Sequence, residues 1–264
     1  MTRRIGAAVC TALFCLVWAT PDEPALAKGN EESETTKAAR EVREGSEAPE
    51  VTGPPVFIPP FLGAPKTRIG AATRQPFLTD APEIYALVPR ETGLTIEEQP
   101  ILHWYLSKPT NAPMKATLIE VRSRERLLDA TTEGPFAEGV HALRLADFGV
   151  HLRLGMTYQW SVAYSAGSKW KSSDFIAGGG IERVEPSEEL RSALAAASPA
   201  RIPFILAEAG IWYEAITKLS TRIDAFPRDA ELRYQRAALL QQVGLETLAR
   251  QERQAASLQR DYNR

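Results

Sequence analysis

The sequence predicts a β-sandwich followed by a small block made entirely of α-helices. Between about residues 66 and 184, short runs carry an apolar residue at every second position, which is typical of half-buried strands. After Arg183 the apolar residues follow helical spacing, beginning with Leu190 and Leu194 on one face. We therefore expect four consecutive parts: a signal peptide at 1–27, a tether at 28–65, the sandwich at 66–184 and the helical block at 185–264.

The segment at 1–27 has the layout of a secretory signal peptide. Arg3 and Arg4 precede an apolar block at residues 5–19, and the segment ends in the small-residue cleavage site Ala25-Leu26-Ala27. The apolar block is shorter than the about 20 residues that a membrane-spanning helix needs, so cleavage is favoured over a retained anchor. We expect an exported protein, periplasmic or extracellular, with no stable membrane span after cleavage.

Both cysteines, Cys10 and Cys15, lie in this segment. Cleavage would remove them, so the mature chain would have no disulfide, no thiol nucleophile and no cysteine ligand for a metal. A chain of this length can bury enough apolar surface to fold without disulfides. The formal net charge is −2, and nothing strongly basic suggests nucleic acid as a partner.

The segment at 28–65 is first charged and then rich in proline. Pro54-Pro55 and Pro59-Pro60 flank the apolar triplet Val56-Phe57-Ile58. Charged segments of low hydrophobicity do not offset the entropy of ordering, and paired prolines favour extended chain. We predict a disordered tether; the alternative is that the apolar triplet is a docking motif.

The strand signals come next along the chain. The run Leu154–Tyr164 alternates most clearly, and Leu102–Leu106 and Thr117–Val121 follow the same rule, with Thr117, Ile119 and Val121 forming one face. The other candidate strands are Ile84–Val88, Arg126–Thr131, Val140–Leu145 and Ser173–Ile181. About seven short strands are typical of a sandwich, and the alternation directs Trp104 and Trp160 inward.

One of these runs resembles a known strand signature. In Leu152–Val162, the turn at Gly155 precedes a strand with an inward aromatic residue, which resembles the penultimate strand of fibronectin type III and related immunoglobulin-like domains. The resemblance implies an all-β immunoglobulin- or fibronectin-III-like sandwich. It implies no ligand, because such sandwiches carry many functions.

The helical block begins with a clear capping signal. Ser187 is well placed as an N-cap, and Glu188 and Glu189 favour the positive end of the helix dipole. Ser198 followed by Pro199 repeats the same arrangement for a second helix.

The helical block also contains an internal repeat. Gly210 recurs as Gly244 and Ala215 as Ala249, both at the tetratricopeptide period. The run 209–216 resembles the second half of such a repeat. Only about one and a half units are present, whereas such units usually need about three to be stable. We therefore expect the block to pack on the sandwich or on another chain.

A further resemblance rests on the order of the parts and on residues 70–74, 87–89, 100–106, 158–160 and 207–215. Over roughly Pro65 to Ala249, the chain resembles one family of exported bacterial proteins, the domain of unknown function 928 family. The resemblance implies no catalytic residue.

The chain shows no recognised pattern for catalysis or metal binding. His103, His141 and His151 lack metal-ligand spacing, and G-x-S-x-G and phosphate-loop motifs are absent. His103 is interpreted as a satisfied or surface histidine, whereas His141 and His151 flank a predicted loop and could approach one another. We expect no catalytic residue, no cofactor and no metal.

Three aromatic residues are the candidates for an interaction surface: Trp212, Tyr213 and Trp170. For Trp212 and Tyr213, packing between the helices and the sandwich is favoured, with at least one ring buried. Trp170 lies near a predicted turn.

The leading hypothesis is an exported, non-enzymatic interaction or scaffold protein with an unidentified protein partner in the cell envelope. One alternative is a sandwich that binds a glycan or another envelope ligand in a groove lined by Trp104, Tyr105, Trp160 or Trp170. Trp170 is favoured, because the alternation directs Trp104 and Trp160 inward. Another is an unrecognised hydrolase in which loops join His141 or His151 to a carboxylate.

Overall fold

The structure is a computed structural model and describes residues 53–60, 66–70, 81–165 and 175–262, with side chains to residue 260. Over these residues the chain forms eight strands in two sheets and then five α-helices, a mixed fold of strands and helices. The described residues belong to one compact unit, Pro49–Arg264. The predicted signal peptide and the tether up to residue 52 lie outside the described residues.

Seven of the eight described strands lie near predicted positions, and the short strand Gly93–Thr95 was not predicted. The strands are β1 (Ile84–Ala86), β2 (Gly93–Thr95), β3 (Ile101–Leu106), β4 (Met114–Glu120), β5 (Arg126–Thr132), β6 (Gly139–Arg144), β7 (Thr157–Tyr164) and β8 (Phe175–Arg183). One sheet has the order β1-β3-β6 and is antiparallel throughout. The other has the order β2-β8-β7-β4-β5, in which only the pair of β2 and β8 is parallel. Apolar residues of both sheets contribute to one hydrophobic core.

Strand β7 shows the predicted alternation. Tyr158, Trp160, Val162 and Tyr164 are all buried, whereas the residues between them are half-buried. The prediction began this strand too early, because Leu154 lies before it and is 49% exposed. The inward direction of Trp104 and Trp160 is confirmed.

For strand β4 the predicted face was wrong. The buried residues are Met114, Ala116, Leu118 and Glu120, so Thr117 and Ile119 lie on the opposite, half-buried face. Both alternating sets contain apolar residues, and a shift of one residue moves every side chain to the other face of a sheet. The pattern alone therefore could not identify the inner face.

The five helices are α1 (Glu188–Ala196), α2 (Ile202–Glu208), α3 (Trp212–Ala225), α4 (Ala230–Gln242) and α5 (Glu246–Tyr262). Ser187 caps α1 as predicted, because its Oγ accepts a hydrogen bond from the Leu190 N–H at 3.2 Å. The second start signal was misplaced: α2 begins at Ile202 and not at Pro199. Pro203 lies in the first turn of α2, where a missing backbone N–H costs little.

The internal repeat has a structural counterpart. Gly210 connects α2 to α3 and Gly244 connects α4 to α5, and both have positive φ angles, of 76° and 72°. Glycine adopts this conformation without the strain that a side chain causes. Ala215 and Ala249 are both fully buried in the helix that follows each glycine, where the helices pack closely. The chain therefore contains two helix pairs in equivalent positions of the repeat.

The helices pack on the sheets and share their core. Buried residues of α2 to α5 join the same hydrophobic cluster as the strands, and α3 contacts both β2 and β3. Two helix pairs have too few neighbours to bury their apolar faces by stacking alone. The sheets supply the missing surface, so the strands and helices form a continuous structure.

The tether prediction is corrected for residues 53–60. Phe57 is only 7% exposed, and its ring lies 4.8 Å from that of Trp212. The Phe57 N–H donates to Gln242 Oε1 at 2.8 Å, and the Ile58 N–H donates to the Ala207 carbonyl at 3.1 Å. The apolar triplet therefore docks on the helices of its own chain. Burial of one aromatic ring and these hydrogen bonds fix a segment whose composition alone indicates disorder.

Candidate functional site

A cleft lies between the three-stranded sheet and the helices. It has a volume of about 680 Å³ and is lined by residues of β3, β6, α3, α4 and α5. Strand β3 separates the core from the cleft. Its Trp104 points into the core between the sheets, whereas His103 and Tyr105 point towards the helices and line the cleft. The volume lies in the range that is typical of ligand sites, about 300–1,000 Å³.

The floor of the cleft is a buried network of charged side chains. Arg236 on α4 donates to Ser220 Oγ on α3 at 3.0 Å and to Glu252 Oε1 on α5 at 2.6 Å. Arg233, one turn earlier on α4, donates to Glu252 Oε2 at 3.4 Å. One carboxylate thus accepts from two guanidinium groups, and three helices are joined. Removing one partner of such a buried pair is costly, because the remaining charge is left uncompensated.

The sheet side of the cleft carries His103 and Tyr105. Burial lowers the pKa of His103 to about 3, and the positive charges of Arg236 and Arg144 act in the same direction. Burial raises the pKa of Tyr105, and the nearby Glu138 carboxylate adds to this effect. At neutral pH both side chains are therefore uncharged. His103 is the buried, structurally satisfied histidine that the sequence indicated, and not a surface one.

Residues 69–253 match the model of the family described as Domain of Unknown Function (DUF928). The chain belongs to this family. The matched range contains every strand and all of the cleft except its end at Gln254, Ala255 and Leu258. Its bounds agree with the resemblance inferred from the sequence.

Two further comparisons add little about this DUF928 protein. A search of curated proteins gave no match. Among solved structures, a multi-domain immunophilin from Arabidopsis thaliana is similar at 10% sequence identity, covering 64% of this chain and 98% of the other, with a TM-score of 0.21. A similarity of this size supports no conclusion about fold or function.

Trp212 and Tyr213, predicted as a possible interaction surface, lie inside the DUF928 fold. Trp212 is fully buried, and its Nε1 donates to the Leu87 carbonyl at 2.8 Å. The Tyr213 hydroxyl accepts from Trp160 Nε1 at 2.8 Å and donates to the Gly180 carbonyl at 2.9 Å. Both rings therefore join α3 to the sheets, which is the packing role that the sequence favoured. Trp170 lies outside the described residues.

His141 and His151 do not form a shared site. The ring of His141 stacks on Trp104 at 4.3 Å, and its Nε2 lies 2.8 Å from the Ala137 carbonyl oxygen. His151 instead lies 3.0 Å from Glu98 Oε1, and both of these side chains are more than half exposed. Of these two histidines, His141 lines the cleft and His151 does not.

A buried carboxylate that sequence reasoning missed is Glu214 on α3. Thr95 Oγ1 donates to Glu214 Oε1, and Oε2 has no hydrogen-bond partner. Burial raises the pKa of Glu214 to about 7, although the Thr95 hydrogen bond opposes the shift. Its signal in the sequence is its place between Tyr213 and Ala215, two residues of the buried helix face.

Metal and membrane sites were also sought in the described ranges. Within them, no group of three or more histidine, cysteine, aspartate or glutamate side chains is placed to hold a metal ion. The helices of these ranges include none that is long and apolar enough to span a membrane.

Proposed function

We propose that this DUF928 protein is an exported, non-enzymatic binding module that engages a protein partner in the cell envelope through the cleft. The observation that carries the proposal is the construction of the cleft. Two strands supply one wall and three helices supply the other, and the ion-pair network of Arg236 and Glu252 fixes the helices relative to one another. A site whose walls are held in advance loses less entropy when a ligand binds.

The arrangement of modules supports this function. The two sheets and their alternating strands are consistent with an immunoglobulin- or fibronectin-III-like sandwich. The two helix pairs of the internal repeat, with equivalent glycine turns, are consistent with a tetratricopeptide-like block. Both module types commonly bind other proteins, and here the cleft lies where the two parts meet.

The chemistry of the floor favours binding over catalysis. Both carboxylate oxygens of Glu252 accept hydrogen bonds from arginines, so Glu252 is not held ready for a reacting group. His103 stays neutral until strongly acidic pH, which removes it from proton transfer near pH 7.

The export part of the proposal rests on the N-terminal segment at 1–27. Two arginines, a short apolar block and Ala25-Leu26-Ala27 form the layout of a cleavable signal peptide. An exported chain would find its partner in the cell envelope or outside the cell.

The test is capture of envelope proteins by the purified mature protein. Ala142 is exposed on β6 and lines the cleft, so Ala142→Trp fills the cleft from its rim. Ala193→Trp adds the same side chain to an exposed position on α1, outside the cleft. We expect wild type and Ala193→Trp to capture the same partner and Ala142→Trp to lose it. Equal capture by all three would refute a binding role for the cleft.

A second candidate function is binding of a glycan or another envelope ligand in the same cleft. Gln251, Gln254 and Glu138 line it together with Tyr105, and such side chains hydrogen-bond to hydroxyl groups. Trp104 and Trp160 are buried, so they do not supply the stacking surface. Calorimetric titration with a panel of soluble glycans tests this function. A heat of binding to wild type that disappears in Ala142→Trp supports it, and no heat of binding for any glycan excludes these glycans as ligands.

A further inference from the structure

The cleft reaches a strand edge that has no partner in the described part of the chain. Among these residues β6 pairs only with β3, so its other side forms the edge of the sheet. Four consecutive residues of β6, Gly139 to Ala142, line the cleft. Consecutive strand residues point to opposite faces, so the cleft follows the edge of β6 and not one face alone. An extended peptide can add a strand at such an edge.

The register of the sheet identifies which β6 groups point outward. The Leu145 N–H donates to the Pro100 carbonyl at 3.3 Å, and hydrogen-bonded pairs alternate with non-hydrogen-bonded pairs along an antiparallel ladder. The pair of Trp104 and His141 is therefore hydrogen-bonded. Val140 and Ala142 fall between these pairs, so their N–H and C=O groups point away from β3. We find no backbone partner for either residue within the described ranges.

The size of the cleft matches a short added strand. In a sheet, the rise per residue is about 3.3 Å, the spacing between strands is about 4.8 Å and the spacing between packed layers is about 10 Å. The product of these lengths gives a volume of about 160 Å³ for one strand residue. The cleft volume of 680 Å³ thus holds about four such residues, the same number that β6 contributes to the lining.

The opposite wall and the mouth indicate the chemistry of the peptide. Leu258 on α5 is 65% exposed and lines the cleft, so it offers an apolar contact to a side chain that points inward. Glu138 and Asp224 are exposed acidic residues of the lining, whereas Arg233 and Arg236 share the carboxylate of Glu252 on the floor. The lining thus has three carboxylates and two guanidinium groups. Because Asp224 and Leu258 both lie on the helix wall, a peptide complements this wall when its helix-facing side chains include both apolar and basic residues.

We propose that the cleft binds an extended basic peptide of its partner by strand addition to β6. The peptide backbone pairs with the outward N–H and C=O groups of Val140 and Ala142. On the peptide face towards the helices, apolar side chains lie against Leu258, and lysine or arginine side chains lie against Glu138 and Asp224. This inference rests on the proposed function and specifies its binding mode and the class of ligand.

The test uses two acetylated, fluorescently labelled heptapeptides. One has valine and lysine in turn at positions 1, 3, 5 and 7 with threonine between them, and the other has glutamate in place of lysine. Binding is measured by fluorescence anisotropy with wild type, Ala142→Pro and Ala142→Thr. Proline removes the outward N–H and leaves the ladder to β3 intact, because this N–H does not bond to β3. Threonine changes the side chain and keeps the N–H.

We expect the lysine peptide to bind wild type, and Ala142→Thr is the reference that carries a larger side chain at this position and keeps the N–H. We expect about tenfold weaker binding to Ala142→Pro than to Ala142→Thr, the upper range for one lost hydrogen bond, and at least as large a loss for the glutamate peptide with wild type. A second measurement does not depend on folding of the proline variant. The lysine peptide is N-methylated on one alternate set of amides or on the other, and only one set should abolish binding to wild type.

Two results would overturn strand addition: no binding of the lysine peptide to wild type, or equal loss from both N-methylated sets. These two results differ from the results that would refute the proposed binding function of the cleft. If Ala142→Trp loses the envelope partner while the peptides do not bind, the cleft still has its binding function and the partner uses another mode. If Ala142→Trp keeps the partner, the proposed function itself fails.

Discussion

Replacing Glu214 by glutamine is expected to remove a large pH dependence from the folding stability of this protein. The carboxyl group is buried on α3, Thr95 donates to one of its oxygens, and the other oxygen has no partner. Burial raises its pKa from an ordinary value of 4.5 to about 7. Glutamine has nearly the same shape, keeps an acceptor oxygen for Thr95 and cannot ionise.

The sign of the effect follows from proton binding. Between about pH 4.5 and pH 7 the folded protein keeps the Glu214 proton, whereas the unfolded chain has lost it. The contribution of Glu214 to the free energy of unfolding is therefore greatest below about pH 4.5. It falls as the pH rises to about 7 and is constant above that pH. Since one pKa unit corresponds to about 1.4 kcal/mol, the total loss is about 3 kcal/mol.

Urea denaturation at a series of pH values measures this directly. The control is Glu208→Gln, which makes the same change at an exposed position near the end of α2. We expect the free energy of unfolding of Glu214→Gln, relative to wild type, to rise by about 2–3 kcal/mol from pH 5 to pH 8, and that of Glu208→Gln to stay constant. Parallel pH curves for Glu214→Gln and wild type would refute the assignment of a buried, protonated carboxyl group.

The remaining predictions concern packing, the floor of the cleft and export. Phe57→Ala should lower the free energy of unfolding by about 3 kcal/mol in urea titrations. Ile58→Ala, at a mostly exposed neighbouring position, should change it by less than about 0.5 kcal/mol. Equal effects of the two substitutions would contradict docking of this segment. Arg236→Met should lower the free energy of unfolding by about 3–5 kcal/mol, and adding Glu252→Met should restore much of it in a double-mutant cycle. A double variant less stable than Arg236→Met alone would contradict the ion pair. Tyr213→Phe should cost about 2 kcal/mol in thermal or urea unfolding, because Trp160 and Gly180 then lose a buried hydrogen-bond partner, and an unchanged midpoint would argue against that bridge. Mass spectrometry of the exported protein should give a chain that begins at Lys28, and an intact Met1 on the exported form would contradict cleavage.

Local patterns predicted the strands well where polar and apolar residues alternate unambiguously. In β7 the residues between Tyr158, Trp160, Val162 and Tyr164 are polar or small, so only one face can be buried. In β4 both alternating sets contain apolar residues, and only packing of Leu118 in the core decides between them.

The candidate site could not be predicted in the same way, because it joins residues far apart in the sequence. His103 is on a strand with one obvious apolar face, and its own face becomes buried only when α3, much later in the chain, packs on β3. Phe57 likewise lies in a segment whose composition indicates disorder, and its partner Trp212 is in the helical block. The same long-range packing explains why Trp212 and Tyr213 are interior residues.

The central claim, that the cleft between β6 and α5 binds a polypeptide, is tested most directly by amide hydrogen exchange with and without the captured partner. We predict slower exchange at Val140 and Ala142 and along Gln251–Leu258, with little change at the exposed edge strand β5. Protection confined to β5 or to α1, with β6 and α5 unchanged, would contradict the claim.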